Sequence, residues 1–318
     1  MPTVSIVIRA LNEAAHLPAL FAGIARGTRQ PDQLVLVDSG SMDDTVAIAL
    51  AHGAEVVRID PERFSFGRAL NLGCRHASGE VLVFVSAHVY PLDEHWLERL
   101  VEPFDGDAAL SYGRQIGDHR TQFSEWEIMR RWFPAGSDQD QRHPFCNNAN
   151  CAIRRSIWEE LPYDESLTGL EDLDWATRAL AAGQRLVYQA DAEVAHVHEE
   201  TFRQTINRYR REAMAHQQMA SGVRLGAVEA CWLFGVNVLR DYLAALARHR
   251  FFRNIVPIAR FRFAQFWGSW RGSTGRGDID PDLKRRFYYP RGFPGLASSA
   301  LTESGGVASS PASGDGEP

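Results

Sequence analysis

An acidic segment past the middle of the chain carries side chains able to accept a proton. It reads Glu171-Asp172-Leu173-Asp174. Acids in a first helical turn stabilise the helix through its dipole, and that role alone would account for one or two of them. A helix beginning near Leu170 would place Glu171 and Asp174 on one face, with Arg178 one turn further on as a partner for Asp174. The alternative role is that of a general base.

Three histidines form a second group with chemical potential. His88 follows a predicted strand, and His196 and His198 lie on a later one. Because strand side chains alternate, His196 and His198 share one face. Imidazole suits manganese, zinc and other transition ions better than magnesium, which prefers oxygen ligands. A single histidine at a strand end is more often structural, so these residues alone leave both roles open.

The first 105 residues alternate short apolar runs with helical patterns. Strands are predicted at residues 4–8, 33–37, 56–59 and 80–85. The intervening helices are predicted to begin at an Asn12 cap and to cover residues 43–52 and 68–77. This alternation predicts an α/β fold, a doubly wound, mostly parallel sheet with helices on both faces. Ligands bind such sheets at the carboxyl ends of the strands.

The remainder of the chain changes character. Residues 113–144 have weak periodicity and are expected to form an excursion from the sheet. Helical signal returns at 170–182, and strands are predicted at 185–189 and 193–197. The predicted organisation is a domain at 1–200, divided at about residue 105, a helical region at 201–296 and a disordered Ser/Gly/Pro-rich tail at 297–318.

Candidate phosphate and nucleotide contacts lie near the ends of the early strands. Residues 9–13 lack the G-x-G-x-x-G turn of dinucleotide-binding dehydrogenases. Asp38 ends the second strand and could accept hydrogen bonds from a ribose hydroxyl or a base N–H, or could shape an Asx turn. Arg68 and Arg75 could counter a pyrophosphate, although a surface role serves Arg75 equally well.

Three motifs occur in order within the first 80 residues. They are Ser5-Ile6-Val7-Ile8-Arg9-Ala10-Leu11-Asn12-Glu13, Val37-Asp38-Ser39-Gly40-Ser41-Met42-Asp43-Asp44-Thr45, and Gly67-Arg68-Ala69-Leu70-Asn71-Leu72-Gly73 followed by Ala77-Ser78-Gly79-Glu80. Together they resemble family 2 glycosyltransferases of the GT-A fold, over about residues 3–200. The resemblance implies a donor half at about 1–105 and an acceptor half at about 106–200, with the excursion at 113–144 on the acceptor side. The resemblance implies inverting transfer of a hexose or deoxyhexose from a nucleotide sugar to a glycan or lipid-linked hydroxyl, in bacterial surface polysaccharide synthesis.

The resemblance also implies roles for individual residues. Asp172 would be the catalytic base, with Glu171 the near alternative. The residues implied to contact the donor nucleotide are Arg9, Asn12, Glu13, Asp38, Ser39, Arg68, Asn71 and Ser86. Those implied beside the acceptor or the donor sugar are Asn147, Asn148, Asn150 and Asp174, although asparagines there could equally form turns. Arg9 departs from the family's usual proline, and Ser39 from a common second aspartate.

The metal motif of the family is altered. An Asp-x-Asp usually ends the fourth strand, and here the sequence reads Ser86-Ala87-His88. Related enzymes with Asp-x-His recruit a late histidine as a third ligand. We therefore expect a divalent ion, manganese or magnesium, bound by His88 with His196 or His198. The rival interpretation is a metal-independent enzyme whose histidines contact the phosphates directly.

The C-terminal region combines arginines with aromatic residues. Residues 242–276 hold seven arginines and no lysine, interleaved with phenylalanine and tryptophan. Such a composition is typical of a peripheral membrane contact, which would suit a lipid-linked acceptor. The alternative is packing on the core or on a second copy in a homodimer. The apolar run at 226–247 is a poor transmembrane span because it carries Glu229, Arg240 and Asp241.

Composition narrows the functional classes. The net charge of −6 over 318 residues argues against nucleic acid as the main partner. Four cysteines do not form a disulfide scaffold, and the first residues contain no signal-peptide pattern, so a cytoplasmic location, at the inner face of the plasma membrane if docked, is expected. Two rival functions are a catalytically inactive binding subunit and, less favoured, a nucleotidyltransferase.

Overall fold

The computed structural model describes residues 1–219 and 224–275. The strands are β1 (Val4–Ala10), β2 (Gln33–Asp38), β3 (Glu55–Arg58), β4 (Val81–Ser86), β5 (Val89–Pro91), β6 (Ala108–Ile116), β7 (Asp138–Gln141), β8 (Asn150–Arg154) and β9 (Arg185–His196). The α-helices are α1 (Leu17–Ala25), α2 (Thr45–Ala51), α3 (Phe66–His76), α4 (Trp96–Val101), α5 (Phe123–Trp132), α6 (Arg155–Glu160), α7 (Glu171–Ala181), α8 (Phe202–Met219), α9 (Ala227–Ala247) and α10 (Phe251–Thr274).

The donor half is a parallel sheet in the order β3-β2-β1-β4. Its central strands are buried on both faces, which is why they are continuous apolar runs. Ile6 and Ile8 of β1 belong to one core, which includes the buried face of α1. Val7 belongs to the other core, which includes α3. The register pairs Arg9 with Ser86 and Ala10 with Asp38, so these residues share one edge.

The acceptor half continues the same sheet with mixed directions. β8 runs antiparallel to β4 and β6, and β9 runs parallel to β6. The short β5 pairs antiparallel with β9, and this register sets Val89 opposite His196. The predicted α/β class is confirmed, with antiparallel pairs concentrated in this half. The two strands predicted at 185–189 and 193–197 are one strand, β9, with an irregularity opposite Gly113 to Gln115.

Two local predictions in this domain are wrong. Asn12 does not cap α1, which begins only at Leu17; it has a φ of 55°, and its Oδ1 accepts a hydrogen bond from the Met42 N–H. Asparagine tolerates this left-handed conformation better than most residues. Residues 113–144 are also more ordered than predicted, because they contain the end of β6, the helix α5 and the strand β7.

The C-terminal region is helical, as predicted, in its described part. α10 packs against both α8 and α9, and a buried ion pair between Arg262 and Asp241 joins α10 to α9. Among the described helices, α9 alone has the length and apolar composition that could cross a membrane, and 17% of its most apolar window is buried. Arg276 and the tail predicted at 297–318 lie outside the described residues.

Candidate active site

The three predicted histidines meet at one end of the sheet. His88 lies in the turn between β4 and β5, and the pairing of β5 with β9 brings it beside His196 and His198. One ring nitrogen from each histidine lies within 4.8 Å of the others. Three nitrogens bound to one tetrahedral zinc ion would be about 3.3 Å apart, so the rings need only a small inward movement to share a cation.

Each of these imidazoles is oriented by a different partner. The Nδ1 atom lies 3.2 Å from Glu13 Oε1 in His88, 2.7 Å from Gln115 Oε1 in His196, and 2.7 Å from Glu125 Oε1 in His198. Because these partners are acceptors, Nδ1 is the hydrogen-bearing nitrogen of each ring, and Nε2 has the lone pair in the corresponding neutral tautomer. Such partners are the usual outer support of metal-binding histidines.

His196 gives the clearest sign that a ligand is expected. Its side chain is 5% exposed, and its Nε2 has no hydrogen-bond partner among the described residues. Burial, His198 and His88 lower the pKa of His196 well below its usual value, so the ring is neutral. A neutral, buried imidazole with an unpaired Nε2 is the chemical form that binds a transition ion. The residues therefore fit a divalent metal.

A buried acid, Glu125, supports the His198 ring of this cluster. Glu125 of α5 accepts hydrogen bonds from His198 Nδ1 and from Arg208 of α8, both at 2.7 Å. Burial opposes ionisation of Glu125, but Arg208 and His198 outweigh it and lower its pKa to about 2. The carboxylate is therefore ionised, and it links α8, through Arg208, to His198.

The acidic segment opens α7, as predicted. Leu170, immediately before it, has a φ of 57°, a strained conformation of the kind found at functional sites. Asp172 Oδ2 accepts from the Asn148 N–H at 3.2 Å, and Oδ1 accepts from the Leu173 N–H at 2.8 Å. Burial and the adjacent Glu171 charge raise the pKa of Asp172 to about 7. A carboxylate with that pKa suits general-base work near neutral pH.

Arg9 connects the donor half to this segment. Its Nη1 lies 3.3 Å from Glu171 Oε1, and its guanidinium lies 4.8 Å from the centre of the Phe66 ring. The position that departs from the family's usual proline therefore supplies a cation beside the carboxylates. Asp174 forms the predicted pair with Arg178, with Oδ2 2.8 Å from Nε. That pair turns Asp174 along the helix rather than toward Asp172.

The histidine cluster and the carboxylates are joined through residues 147–148. Gln115 accepts from His196 and donates its Nε2 hydrogen to Asn147 Oδ1 at 3.1 Å. The next residue, Asn148, donates its backbone N–H to Asp172. The Asn148 side chain accepts from Tyr163, and its Nδ2 is buried without a partner among the described residues. This leaves Asn147 and Asn148 between the two groups. The resemblance implies contacts of these residues with the acceptor or the donor sugar.

Two predicted ligand-binding asparagines have structural roles instead. Asn71 is buried; its amide donates to Tyr163 O and Glu165, and its Oδ1 accepts from Trp158 and the Tyr163 N–H. Asn150 is fully buried, with all its hydrogen bonds inside the protein. Both predictions fail because the side chains point into the core, where amides must find internal partners.

The remaining residues predicted to contact the donor nucleotide have partners within the protein. Asp38 forms the Asx turn that was its alternative role, accepting from the Gly40 and Ser41 N–H groups. Ser39 is buried, with its hydroxyl donating to Ala10 O. Arg68 is partly exposed and pairs with Glu165 at 2.7 Å. Glu13 orients His88, which is a contact the sequence did not predict for it.

Sequence reasoning missed Gln115 and Glu125. Both are buried polar residues that orient histidines of the candidate metal site, and each lies on an element in the stretch predicted to be irregular. A helical pattern at 123–132 would have marked Glu125 as an acid on the inner side of α5. For Gln115 no signal was available, since its role depends on the pairing of β6 with β9.

Comparison with known proteins agrees with this architecture. The model of the family described as Glycosyl transferase family 2 matches residues 5–161. The O-antigen chain rhamnosyltransferase WbaN of Salmonella anatum is 30% identical over 224 residues, which cover 66% of this chain and 70% of that protein. RfbN of Salmonella typhimurium, also an O-antigen chain rhamnosyltransferase, is 28% identical, with 65% and 70% covered. The chain belongs to glycosyltransferase family 2 and is a glycosyltransferase.

Solved structures show the same fold. A mannosyltransferase from Pyrobaculum calidifontis, in complex with GDP-Man and Mn²⁺, has a TM-score of 0.56 at 17% identity, covering 92% of this chain and 88% of that one. Glucosyl-3-phosphoglycerate synthase from Mycobacterium tuberculosis, in complex with Mn²⁺, UDP and phosphoglyceric acid, has a TM-score of 0.52 at 22% identity, covering 70% and 82%. The predicted GT-A fold is thereby confirmed.

Proposed function

We propose that this chain is an inverting glycosyltransferase that moves a deoxyhexose of the rhamnose class from a nucleoside diphosphate to an acceptor hydroxyl in surface polysaccharide synthesis. The similarity to O-antigen rhamnosyltransferases supports the sugar class. The observation that supports this reaction type is the raised pKa of Asp172, about 7, beside Glu171. Asp172 is also hydrogen-bonded to Asn148, in the segment that connects to the histidines.

The mechanism follows from the groups around Asp172. The acceptor oxygen attacks the anomeric carbon on the face opposite the nucleotide, and its proton passes to an Asp172 oxygen as the new C–O bond forms. The bond from the anomeric carbon to the diphosphate breaks, and the nucleoside diphosphate leaves. Arg9 pairs with Glu171 at 3.3 Å and holds it in place next to the base. No covalent intermediate with the enzyme is needed.

The three histidines would hold a divalent cation near the diphosphate. The orphaned Nε2 of His196 and the acceptors behind all three rings support this role. A bound cation would neutralise charge on the leaving diphosphate. Three imidazoles favour manganese or zinc over magnesium. In the rival interpretation the histidines contact the phosphates directly, and no metal is required.

A panel of nucleoside diphosphate sugars tests the reaction. Purified protein is incubated with dTDP-, UDP- and GDP-linked hexoses and deoxyhexoses and an O-antigen-type acceptor, with added manganese, zinc or chelator, and the anomeric configuration of the product is read by NMR. We expect transfer from a deoxyhexose donor, with inversion, that chelator abolishes. A product of retained configuration would contradict the mechanism. Absence of transfer and of donor hydrolysis with every donor and metal would favour an inactive binding subunit.

The acceptor is proposed to be lipid-linked and reached at the cytoplasmic face of a membrane. Support comes from α9, where one face of large apolar side chains is exposed to solvent; these are Val228, Trp232, Val236, Leu239, Leu243 and Leu246. Their spacing of three and four residues aligns them on one side of the helix. Vesicle flotation tests this docking: Trp232→Ser should release the protein, whereas a wild-type protein that never floats and elutes as a dimer would assign the face to a second copy.

A further inference from the structure

A second charged site lies in a cavity of about 350 Å³ between α5 and α9. Its charged lining residues are the arginines 130, 131, 240 and 248 and the acids Glu127 and Asp241. Glu125 and Glu127 are two residues apart on α5, and this spacing turns them to opposite sides of a helix. Glu125 faces the histidines, so the cavity lies on the other side of α5 from the candidate metal site.

The two acids of the cavity are already paired. Asp241 is 1% exposed, and both its oxygens accept from Arg262, at 2.7 and 2.9 Å. Glu127 makes a close ion pair with Arg248 and lies 3.6 Å from Arg130. Each carboxylate is therefore neutralised by a partner before the other arginines are considered.

The arginines that remain leave surplus positive charge. Within residues 1–219 and 224–275, Arg131 forms one ion pair, with Asp241 at 3.9 Å, and Arg240 forms none. Burial, together with the charges of Arg240 and Arg262, lowers the pKa of Arg131. Guanidinium groups that repel one another in a cavity are stabilised when an anion enters, and phosphate oxygens match the fork of an arginine.

The surroundings of the cavity indicate which anion it would take. Residues 224–275 carry eight arginines against two acids, although the whole chain has a net charge of −6. Arg240 lies between Leu239 and the buried Asp241, at the border of the exposed apolar face of α9. A ligand with a phosphate head and an apolar chain would satisfy both features at once. A free phosphate would leave the apolar face unused.

We propose that the cavity between α5 and α9 binds the phosphate of an anionic lipid whose acyl chain lies along the exposed face of α9. This site rests on the membrane docking proposed above but is separate from the site of glycosyl transfer. It would fix the depth and rotation of the protein at the membrane, with α5 as the element shared by the lipid site and the histidines.

The test uses the full chain with vesicles of phosphatidylcholine, with and without phosphatidic acid. Two variants of equal charge are compared: Arg131→Gln with Arg240→Gln in the cavity, and Arg253→Gln with Arg271→Gln on exposed positions of α10. We expect the cavity variant to lose about 30-fold in affinity for phosphatidic acid vesicles. The α10 variant should lose only a few-fold. Equal losses would reduce the effect to general electrostatics and overturn the proposal.

Two further measurements separate the causes of failure. Thermal unfolding checks folding of the cavity variant, whose melting temperature should not fall below that of wild type, because the substitutions relieve repulsion. The second measurement is the melting temperature of wild type with added inorganic phosphate. If phosphate raises it but the protein shows no preference for phosphatidic acid vesicles, the cavity binds a soluble anion and the lipid proposal is overturned. Transfer to a soluble acceptor should be unchanged in both variants, so loss of vesicle binding with intact transfer concerns this site and not the proposed reaction.

Discussion

The histidine cluster and the carboxylate pair are built in different ways. The histidines come from the turn after β4 and from the end of β9, and each ring is held by a side chain from another part of the chain. Glu171 and Asp172 are adjacent, and backbone N–H groups at the start of α7 and at Asn148 hold Asp172. The histidine cluster therefore depends wholly on tertiary structure, whereas the carboxylate pair depends on a local helix start and one tertiary contact, from Asn148.

The pKa shifts in the two centres also have opposite directions. Burial lowers the pKa of His196, which keeps that base neutral with its lone pair available. Burial and a like charge raise the pKa of Asp172, which makes that carboxylate ready to take a proton. The first arrangement suits holding a cation and the second suits accepting a proton, and perturbed groups of this kind cluster at functional sites.

The largest effect is expected on the carboxylate side. Asp172→Asn keeps the size of the side chain but removes the proton acceptor, so the transfer rate should fall about 10³-fold, within the range for loss of a general base. Steady-state assays with a saturating donor measure the loss. Asp174→Asn is the matched control, since its partner is Arg178, and it should lose only a few-fold. Comparable losses in both variants would remove the distinction between these acids.

The same substitution should stabilise the fold at alkaline pH. The pKa of Asp172 is about 7 in the folded chain and about 4 when unfolded, so the folded state binds more protons between these values. Stability contributed by this group is thus lost as pH rises from about 4 to about 7. Asp172→Asn should have a higher melting temperature than wild type at pH 8, and the difference should vanish near pH 4. An Asn variant less stable at pH 8 would contradict the raised pKa.

On the histidine side, removal of one ring should affect metal and activity together. His196→Ala leaves two of three nitrogens, and we expect the metal-dependent melting shift to disappear and transfer to fall about 10²-fold, as expected when a metal's charge stabilisation is lost. His95→Gln, an exposed histidine beside Glu98, is the control and should keep both. If manganese and zinc leave wild type unchanged in melting temperature and activity, the direct-phosphate alternative takes the place of the metal.

The same contrast explains how far the sequence predicts this protein. The donor strands, the start of α7 and the pairing of Asp174 with Arg178 depend on local periodicity and spacing, and those predictions match the structure. The meeting of His88 with both late histidines was only partly predicted, because it depends on β5 pairing with β9. Asn71 and Asn150 were assigned to ligands because the sequence does not distinguish a buried asparagine from an exposed one. Their core partners, Trp158 and Trp96, lie far along the chain.

A smaller effect is expected from the support behind the histidines. Glu125→Gln keeps an acceptor for His198 but removes the charge that orients it and that pairs with Arg208. Metal affinity should fall roughly tenfold, in the lower part of the range for such outer partners. Calorimetric titration with manganese or zinc measures it. Glu98→Gln, at the surface, serves as the control, and an unchanged affinity in Glu125→Gln would show that His198 is held by packing alone.

The smallest effect should come from Arg9, the cation that bridges the two halves. Its charge lowers the pKa of Asp172 against the larger raising effects of burial and Glu171, so Arg9→Gln should raise that pKa further. Asp172 must be ionised to act as a base, and the acid limb of the pH–rate profile should therefore move to higher pH, by a few tenths of a unit. The rate at pH 6 should fall a few-fold and recover by pH 9. Arg75→Gln, on the far end of α3, should leave the profile in place; a loss in Arg9→Gln that is equal at all pH values would instead assign Arg9 to donor binding.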